Sequence, residues 1–227
     1  MSFQLKQHAT SIYTVDGTLK NNPIGRRMIV FVLPNKCLAL HSPILPDQAL
    51  QADLAHIGNV STIFVPNLWH TLDTKSVHNM YPKANIYVPN ALQTKLNSKF
   101  STDFTYEQHW TDLLDQDLTV FNLQGLKQPE VVFFHKPSKT LIITDLFFNF
   151  LPTDFSGLTK WAMQANKALR FGTTRLYKLA MISDKNKLKA SINHINKSCD
   201  ISSIIVCHGH IIKTDAKLKL QQAIDSL

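Results

Sequence analysis

Four apolar segments of the sequence, each typical of a buried strand, run directly or within a few residues into side chains that can bind metals or move protons. These side chains are His41, His70, Asp145 and the pair His208 and His210. Imidazole and carboxylate groups are common ligands of transition metals and common general acids and bases of enzymes. Because the carboxyl ends of parallel strands lie along one edge of an α/β sheet, where ligands bind, we expect these groups to meet in one site.

The elements that must position this site begin with a β-meander and continue as alternating helices and strands. A helix is predicted to start at Pro46-Asp47 and to end at Gly58, and another is predicted over residues 72–80. The alternation of apolar residues and the turn signals predict strands at residues 10–15, 27–33, 36–40, 61–65, 85–88, 118–123, 130–135, 140–144 and 204–206. This order predicts one α/β domain over residues 1–227.

The last third of the chain is predicted to be mainly helical. One apolar stripe contains Leu158, Trp161, Ala165 and Leu169, which we expect to face the core in a helix that Gly172 ends. Two further helices are predicted, with Ser183 and Thr214 as their N-terminal caps. Asn90 is predicted to cap a short helix, and residues 100–117 are interpreted as a loop.

The net charge of +8 comes entirely from this last third. Residues 156–227 contain 12 Lys and Arg against 4 Asp, whereas residues 1–155 contain 12 of each sign. Such a basic surface can bind anions, including nucleic acid. Since its lysines alternate with apolar residues at helical spacing, without an aromatic or arginine cluster, we interpret them as solvated helix faces and expect no nucleic-acid partner.

The composition excludes several classes of protein. With 44% hydrophobic and 18% charged residues, the chain can bury a core and is not disordered. Three cysteines without a C-x-x-C motif form neither a disulfide framework nor a zinc ribbon. No apolar run reaches the ~18 residues of a spanning helix. We therefore expect a globular, cytoplasmic protein with no membrane partner.

The motifs around the candidate residues resemble those of the metallo-β-lactamase superfamily. After the meander the sequence reads VPNLWH, then FFHKPSKTLIITDLFFN, then IIVCHGH. The segment PSKTLIITD is similar to the hairpin that leads to the bridging aspartate of that superfamily, here Asp145. CHGH is similar to its closing Gly-His-Gly, with His208 at the metal-binding position. The resemblance is closest to an uncharacterised, divergent branch with a Pro-Asn-x-x-His motif, and it implies a four-layer αβ/βα sandwich with the site at one edge of the two sheets.

The sequence departs from the superfamily at several ligand positions. The signature His-x-His-x-Asp-His falls here on Val65, Asn67, Trp69 and His70, so only its last histidine is kept. A further metal-binding histidine is lost at Gly125-Leu126, and the aspartate that ends the third strand is replaced by His41.

The resemblance therefore implies one metal ion at most rather than two. One of the two metal sites keeps only Asp145, whereas the other keeps His70, Asp145 and His208. Two histidines and a carboxylate can hold Zn²⁺ with an open water position, or a non-haem Fe²⁺. The remaining candidates would surround these ligands or contact the substrate, and they are His41, Asn67, Trp69 and His210.

Three functions are compatible with these residues. The first is a mononuclear metal-dependent hydrolase of a small ester, thioester, lactone or phosphodiester, with Asp145 and His208 as catalytic residues. The second is a metal-free, degenerate member that acts as a binding module or scaffold. The third, ranked last, is a metal-independent enzyme with His41 or His208 as its general base.

The sequence also predicts the neighbours of Asp145 and the environment of Trp69. In an antiparallel hairpin the start of the first strand lies beside the end of the second, so Glu130 rather than His135 should neighbour Asp145, and His135 should not be a ligand. Because tryptophan is mostly buried in proteins, we expect Trp69 to belong to the core rather than to the wall of a ligand pocket.

Overall fold

The computed structural model describes residues 3–19, 22–100, 106–107 and 117–227. Contacts within the chain divide it into two compact units. Unit 1 consists of residues 1–18 and 26–113, and unit 2 consists of residues 19–25 and 114–227. Each unit has its own hydrophobic core. A single domain over residues 1–227 stays a prediction.

The strands of unit 1 form a seven-stranded sheet in the order of the chain. They are β1 (Leu5–Ala9), β2 (Ile12–Leu19), β3 (Asn22–Leu33), β4 (Cys37–His41), β5 (Asn59–Phe64), β6 (Asn85–Tyr87) and β7 (Tyr106–Glu107). The pairs β1–β2 and β3–β4 are antiparallel, whereas β4, β5, β6 and β7 run parallel to one another. The predicted meander is therefore confirmed. The first residues of β3, 22–25, are counted with unit 2.

The helices of unit 1 are α1 (Gln48–Ile57), α2 (Thr74–Met80) and α3 (Gln93–Phe100). The start and end predicted for α1 are confirmed, since the Asp47 carboxylate accepts a hydrogen bond from the backbone N–H of Leu50 at 2.9 Å and Gly58 follows the last turn. Leu50 and Leu54 are buried on the inner face of α1. Short 3₁₀ turns occupy Pro34–Lys36 and Asn90–Leu92. Most of the loop predicted at 100–117 lies outside the described residues.

Unit 2 contains a four-stranded sheet whose register decides where the candidate residues lie. Its strands are β8 (Leu118–Asn122), β9 (Val131–His135), β10 (Thr140–Ile143) and β13 (Ser203–Val206). Between β10 and β13 the chain forms a separate two-stranded sheet from β11 (Phe148–Asn149) and β12 (Phe171–Gly172). The pairs β8–β9 and β9–β10 are antiparallel. β10 and β13 are parallel, with Ile143 opposite Val206. The chain therefore leaves both parallel strands at the same edge of the sheet.

The helices of unit 2 are α4 (Gly157–Ala165), α5 (Arg175–Met181), α6 (Lys185–Ser198) and α7 (Ala216–Asp225). α6 buries Leu188, Ile192 and Ile195, and α7 buries Leu220 and Ile224, as their periodicity predicts. Both predicted caps are wrong by one residue, because α6 is capped by the Asp184 carboxylate and the residue before α7 is Asp215. None of the helices that the structure describes is both long and apolar enough to span a membrane.

The apolar stripe of α4 does not face the core as expected. Leu158 is 87% exposed and Trp161 is 71% exposed, and α4 has no buried residue. The helix also ends before the predicted Gly172, because Lys167 adopts a left-handed backbone conformation (φ 56°) that stops it after Ala165. An amphipathic period predicts that a helix has an apolar face, but it does not show what that face contacts.

The helix α5, which was not predicted from the sequence, is capped by the side chain of Thr174. The Thr174 hydroxyl accepts a hydrogen bond from the backbone N–H of Tyr177 at 3.1 Å, and Tyr177 and Met181 are buried in the core of unit 2. The neighbouring Thr173 is fully buried, and its hydroxyl has no hydrogen-bond partner within the described part of the chain.

These adjacent threonines allow a matched test of the cap. We expect Thr174→Val to lower the free energy of unfolding by about 1 kcal/mol, since it removes the acceptor for the first turn of α5. Thr173→Val has the same shape change but removes an unpaired buried hydroxyl, so it should leave stability unchanged or raise it. Urea unfolding followed by circular dichroism measures both. Equal losses in the two variants would contradict the assignment of Thr174 as the cap.

Candidate functional site

Asp145 lies two residues beyond the end of β10, on a backbone that one buried carboxylate holds in place. Oε1 of Glu130, just before β9, accepts hydrogen bonds from the backbone N–H groups of Asp145 and Leu146, both at 3.0 Å, and from the hydroxyl of Thr144 at 2.8 Å. The prediction that Glu130 neighbours Asp145 is therefore confirmed. Three donors on one oxygen fix the chain where Asp145 leaves the sheet.

The other carboxylate oxygen of Glu130 is bound by α5. Oε2 accepts a hydrogen bond from the Tyr177 hydroxyl at 2.7 Å. Burial, and then the charge of Asp145, raise the pKa of Glu130, and burial followed by the charge of Glu130 raises the pKa of Tyr177. The tyrosine therefore stays protonated and acts as a donor, and the four hydrogen bonds offset the cost of burying the carboxylate.

His208 lies two residues beyond β13, and its ring is oriented by two contacts. Nδ1 is 2.6 Å from the carbonyl oxygen of Gly25, and Nε2 is 3.1 Å from Oδ1 of Asp145. The ring also stacks on Phe148, with 5.4 Å between centroids. Because a carbonyl oxygen can only accept, Nδ1 carries a hydrogen, and Nε2 of the neutral ring presents its lone pair toward the carboxylate.

Nε2 of His208 and Oδ1 of Asp145 are both hydrogen-bond acceptors, so their close contact is favourable only if a cation lies between them. A proton resolves it by making an imidazolium–aspartate ion pair, and a metal ion resolves it by binding both atoms. Ligand atoms about 2.0–2.2 Å from one ion, at angles of about 90–110°, lie about 2.8–3.6 Å from each other. The observed 3.1 Å agrees with this range, so the pair fits a transition metal ion.

The segment from His208 to His210 is fastened to β11. Asn149 donates its backbone N–H to the carbonyl of His208 at 3.2 Å and accepts from the backbone N–H of His210 at 2.7 Å. Gly209 between them has φ 95°, and a Cβ there would lie 2.2 Å from the Asn149 carbonyl oxygen. The His210 ring is half-exposed and its Nε2 contacts both carboxylate oxygens of Asp154, at 2.9 and 3.0 Å.

In unit 1, the loop after β5 carries His70, and Asn67 shapes this loop. Asn67 is fully buried, and its side-chain oxygen accepts hydrogen bonds from the backbone N–H of Trp69 at 3.0 Å and of His70 at 3.1 Å. Asparagine commonly stabilises turns in this way. The spacing Pro-Asn-x-x-His therefore has a local reason, since the asparagine holds the turn on which the histidine lies.

The expectation that Trp69 belongs to the core is wrong. Its side chain is 50% exposed, beside the partly buried His70. Trp69 lies on the turn that Asn67 stabilises, and residue type alone does not predict which way its side chain faces.

His41, at the end of β4, is an uncharged histidine in the interior. It has no exposed surface, its Nδ1 lies 3.2 Å from the Ser42 hydroxyl, and its ring meets that of Phe31 edge-on. Burial, and then the positive charge of His70, lower the pKa of His41 to about 3. A group with this pKa is a weak base at neutral pH, which argues against the metal-independent mechanism with His41 as general base.

The prediction that His135 lies away from Asp145 is confirmed. His135 pairs with Thr140 at the opposite end of the β9–β10 hairpin, and its Nδ1 is 2.6 Å from the Ser138 hydroxyl in the turn.

In unit 2, the structure thus brings Asp145 and His208 together. Tyr177, which contacts Glu130, and Asp154, which contacts His210, were not among the residues predicted from the sequence. The sequence offers one signal for the helix that carries Tyr177, namely the two consecutive threonines before Arg175, of which Thr174 caps α5.

The sequence matches one known family. Residues 12–155 match a family described as a domain of unknown function, DUF4336. The match covers more than half of the chain, and the protein belongs to this family. No curated protein matches the sequence.

Solved structures of low sequence identity share the fold. VMB-1 is 14% identical, with 99% of this chain and 97% of that chain covered and a TM-score of 0.69. The fragment 1–254 of diflavin flavoprotein A 5 from Nostoc sp. PCC 7120 is 12% identical, with 99% and 94% covered and a TM-score of 0.70. The metallo-β-lactamase FIM-1 from Pseudomonas aeruginosa, in its mono-zinc form, is 10% identical, with 100% and 96% covered and a TM-score of 0.66. The expected fold class, α/β of the metallo-β-lactamase type, is confirmed.

The buried Glu130 carboxylate predicts a stability effect. Glu130→Gln keeps the size of the side chain but replaces an oxygen that accepts from Tyr177 with an amide group. We expect the free energy of urea unfolding to fall by about 1–3 kcal/mol, as for a buried hydrogen-bond network that loses an acceptor. Asp53→Asn on the exposed face of α1 makes the same chemical change as a control and should have no effect. A Glu130→Gln variant as stable as the wild type would contradict the role assigned to this carboxylate.

His41 predicts a pH dependence for the metal-free protein. Between pH 6.5 and 3 the unfolded chain binds a proton at His41 that the folded protein does not, so stability rises with pH across this window and is lost as pH falls. His41 should contribute about 1.4 kcal/mol per pH unit to the slope of unfolding free energy below pH 6.5. His41→Gln should reduce that slope, whereas His56→Gln on the exposed face of α1 should not. An unchanged slope in His41→Gln would show that His41 is protonated in the folded state.

Proposed function

We propose that the protein is a hydrolase that uses one metal ion, with His70, Asp145 and His208 as its ligands. The observation that carries the proposal is the contact of Nε2 of His208 with Oδ1 of Asp145 at 3.1 Å, while a backbone carbonyl holds the proton on Nδ1. This arrangement leaves a lone pair and a carboxylate oxygen directed at each other. Such a ring, fixed through its other nitrogen, is the usual form of a metal-binding histidine.

The third ligand is inferred from the sequence motif. His70 is the one histidine that the Pro-Asn-x-x-His segment shares with the ligand loop of the metallo-β-lactamase superfamily. The buried Asn67 supports this choice, because it binds the backbone N–H of His70 and so fixes the position from which the ring projects. Two imidazoles and one carboxylate suit Zn²⁺, and also Fe²⁺.

A bound divalent ion would supply Lewis-acid activation of water and of the substrate's carbonyl or phosphoryl oxygen. The residues of the chain would prepare this chemistry. The Gly25 carbonyl keeps the His208 ring in one tautomer and orientation, and Glu130 fixes the backbone of Asp145. Asp145 and His208 would thus be catalytic residues, whose positions are set by hydrogen bonds outside the ligand set.

The substrate is proposed to be a small ester, thioester, lactone or phosphodiester. The half-exposed Trp69, next to His70, offers an apolar wall for such a molecule. One solved structure of this fold, FIM-1, is in a mono-zinc form, and a single ion is also what the residues of this chain would hold. His210 is proposed to border the substrate site, held by Asp154. A cytoplasmic location is part of the proposal.

Metal content tests the proposal directly. Protein purified without added metal and then dialysed against Zn²⁺ or Fe²⁺ should retain about one equivalent, since the three ligands form one site. Asp145→Asn, His208→Gln and His70→Gln should each weaken binding by more than about 100-fold, beyond what loss of an outer partner costs. His135→Gln and His210→Gln are the matched controls and should keep the metal. Plasma mass spectrometry and calorimetry give the stoichiometry and affinity.

The outcomes distinguish the alternatives. Protein that takes up no metal, even after reconstitution, would instead support a metal-free binding module. Metal binding that survives His70→Gln but not the other two substitutions would show that His70 is not a ligand. Trp69→Asp returns the carboxylate of the superfamily's ligand loop and should tighten Zn²⁺ binding. A well-folded Trp69→Asp variant that gains no affinity would count against a remodelled metal site.

A further inference from the structure

The helices α4 and α5 of unit 2 display four large apolar side chains to solvent. Leu158 and Trp161 of α4 are 87% and 71% exposed, and Leu176 and Leu179 of α5 are 66% and 79% exposed. Each pair is spaced by three residues, which places its members on one face of a helix. Single exposed apolar residues are ordinary, whereas two such pairs on consecutive helices are unusual for a surface that contacts only water.

Hydrogen bonds connect the end of α4 to the start of α5. The backbone N–H of Arg175 donates to the carbonyl of Asn166 and its guanidinium to that of Ala165, both at 2.9 Å. The backbone N–H of Leu176 donates to the side chain of Asn166, also at 2.9 Å. The start of α5 is therefore fastened to the end of α4, and Leu176 lies close to the last turn of the helix that carries Trp161.

The same segment carries only positive charge. No Asp or Glu occurs between Asp154 and Asp184, whereas this stretch contains Lys160, Lys167, Arg170, Arg175 and Lys178. Burial lowers the pKa of Lys178, and so do the positive charges of its neighbours Arg170, Lys185, Lys167 and Lys189. Lys178 and these neighbours form a positive cluster at α5, and the exposed Lys160 lies between Leu158 and Trp161 in the sequence of α4, so this segment presents positive charge that favours an anionic partner.

The geometry points to a membrane surface that carries anionic lipids as this partner: we propose that α4 and α5 dock on it, with Leu158, Trp161, Leu176 and Leu179 entering the headgroup region. Helices with Trp and Leu on one face and Lys or Arg around it bind this interface, and Trp favours the headgroup level. The basic groups would contact lipid phosphates. The proposal does not depend on the proposed hydrolase activity.

Two other occupants suit the surface less well. A symmetric contact with a second copy would place the same positive side chains against themselves, which costs energy. Nucleic acid would contact the lysines but would leave the protruding leucines without a partner. The sequence predicted no membrane partner because it lacks a spanning segment, but a helix that lies on a membrane surface needs none.

Vesicle sedimentation tests the proposal with the full chain. Vesicles of phosphatidylcholine mixed with phosphatidylglycerol, at about seven to three, should bind the protein, whereas phosphatidylcholine alone should not. The double variant Leu158→Ser/Trp161→Ser should weaken this binding by at least about tenfold, since the apolar contacts are lost. Lys160→Glu should weaken it as well. The control is Leu218→Ser on α7, which removes an exposed leucine outside the surface (59% exposed); this variant should bind as the wild type does.

A second double variant, Leu176→Ser/Leu179→Ser, repeats the test on α5 in case the first does not fold, as judged by circular dichroism. Absence of binding to the anionic vesicles would overturn the proposal. Binding that both double variants retain at full strength would also overturn it, because it would then reflect net charge alone. A wild-type dimer in gel filtration that the double variants convert to a monomer would assign the surface to a second copy instead.

Discussion

The candidate site of unit 2 depends on one buried carboxylate. Glu130 is inaccessible to solvent, yet it receives four hydrogen bonds, from two backbone groups and from the side chains of Thr144 and Tyr177. A carboxylate in this position would be costly without those donors. In return it joins the start of β9, the exit from β10 and the helix α5 at one point. The position of Asp145 is therefore set by the packing of unit 2 rather than by a flexible loop.

Much of this site could be predicted from the sequence because it follows from strand order. Apolar strands that end in Asp145 and His208 predict a meeting at one edge, and the parallel pairing of β10 and β13 produces it. The hairpin register likewise predicts that Glu130 lies beside Asp145. What could not be predicted involves contacts between elements distant in sequence. The hydrogen bond from Tyr177 depends on how a short helix packs, and the contact of His208 with Gly25 joins residues that are 183 positions apart.

Two expectations were wrong for the same physical reason: the buried stripe of α4 and the buried Trp69. Periodicity shows that α4 has an apolar face, and residue type suggests that Trp69 is buried, but neither reports what surrounds the side chain. Leu158 and Trp161 are exposed and α4 fully buries no residue, whereas α5 buries Tyr177 and Met181. Trp69 is half-exposed on a turn whose backbone N–H groups bind the buried Asn67. In both places the surroundings of the side chain, rather than its type or its spacing, determine its exposure.

Gly209 has a consequence for how relatives of this protein should be compared. Its left-handed backbone and its approach to the Asn149 carbonyl exclude any side chain, whatever the adjacent histidines do. The junction with β11 therefore favours glycine at this position on steric grounds alone. A relative that had lost its metal ligands would keep the glycine, as long as it kept the fold. Gly209 thus reports on the backbone of the fold, whereas the atoms that report on chemistry are Nε2 of His208 and the Asp145 carboxylate.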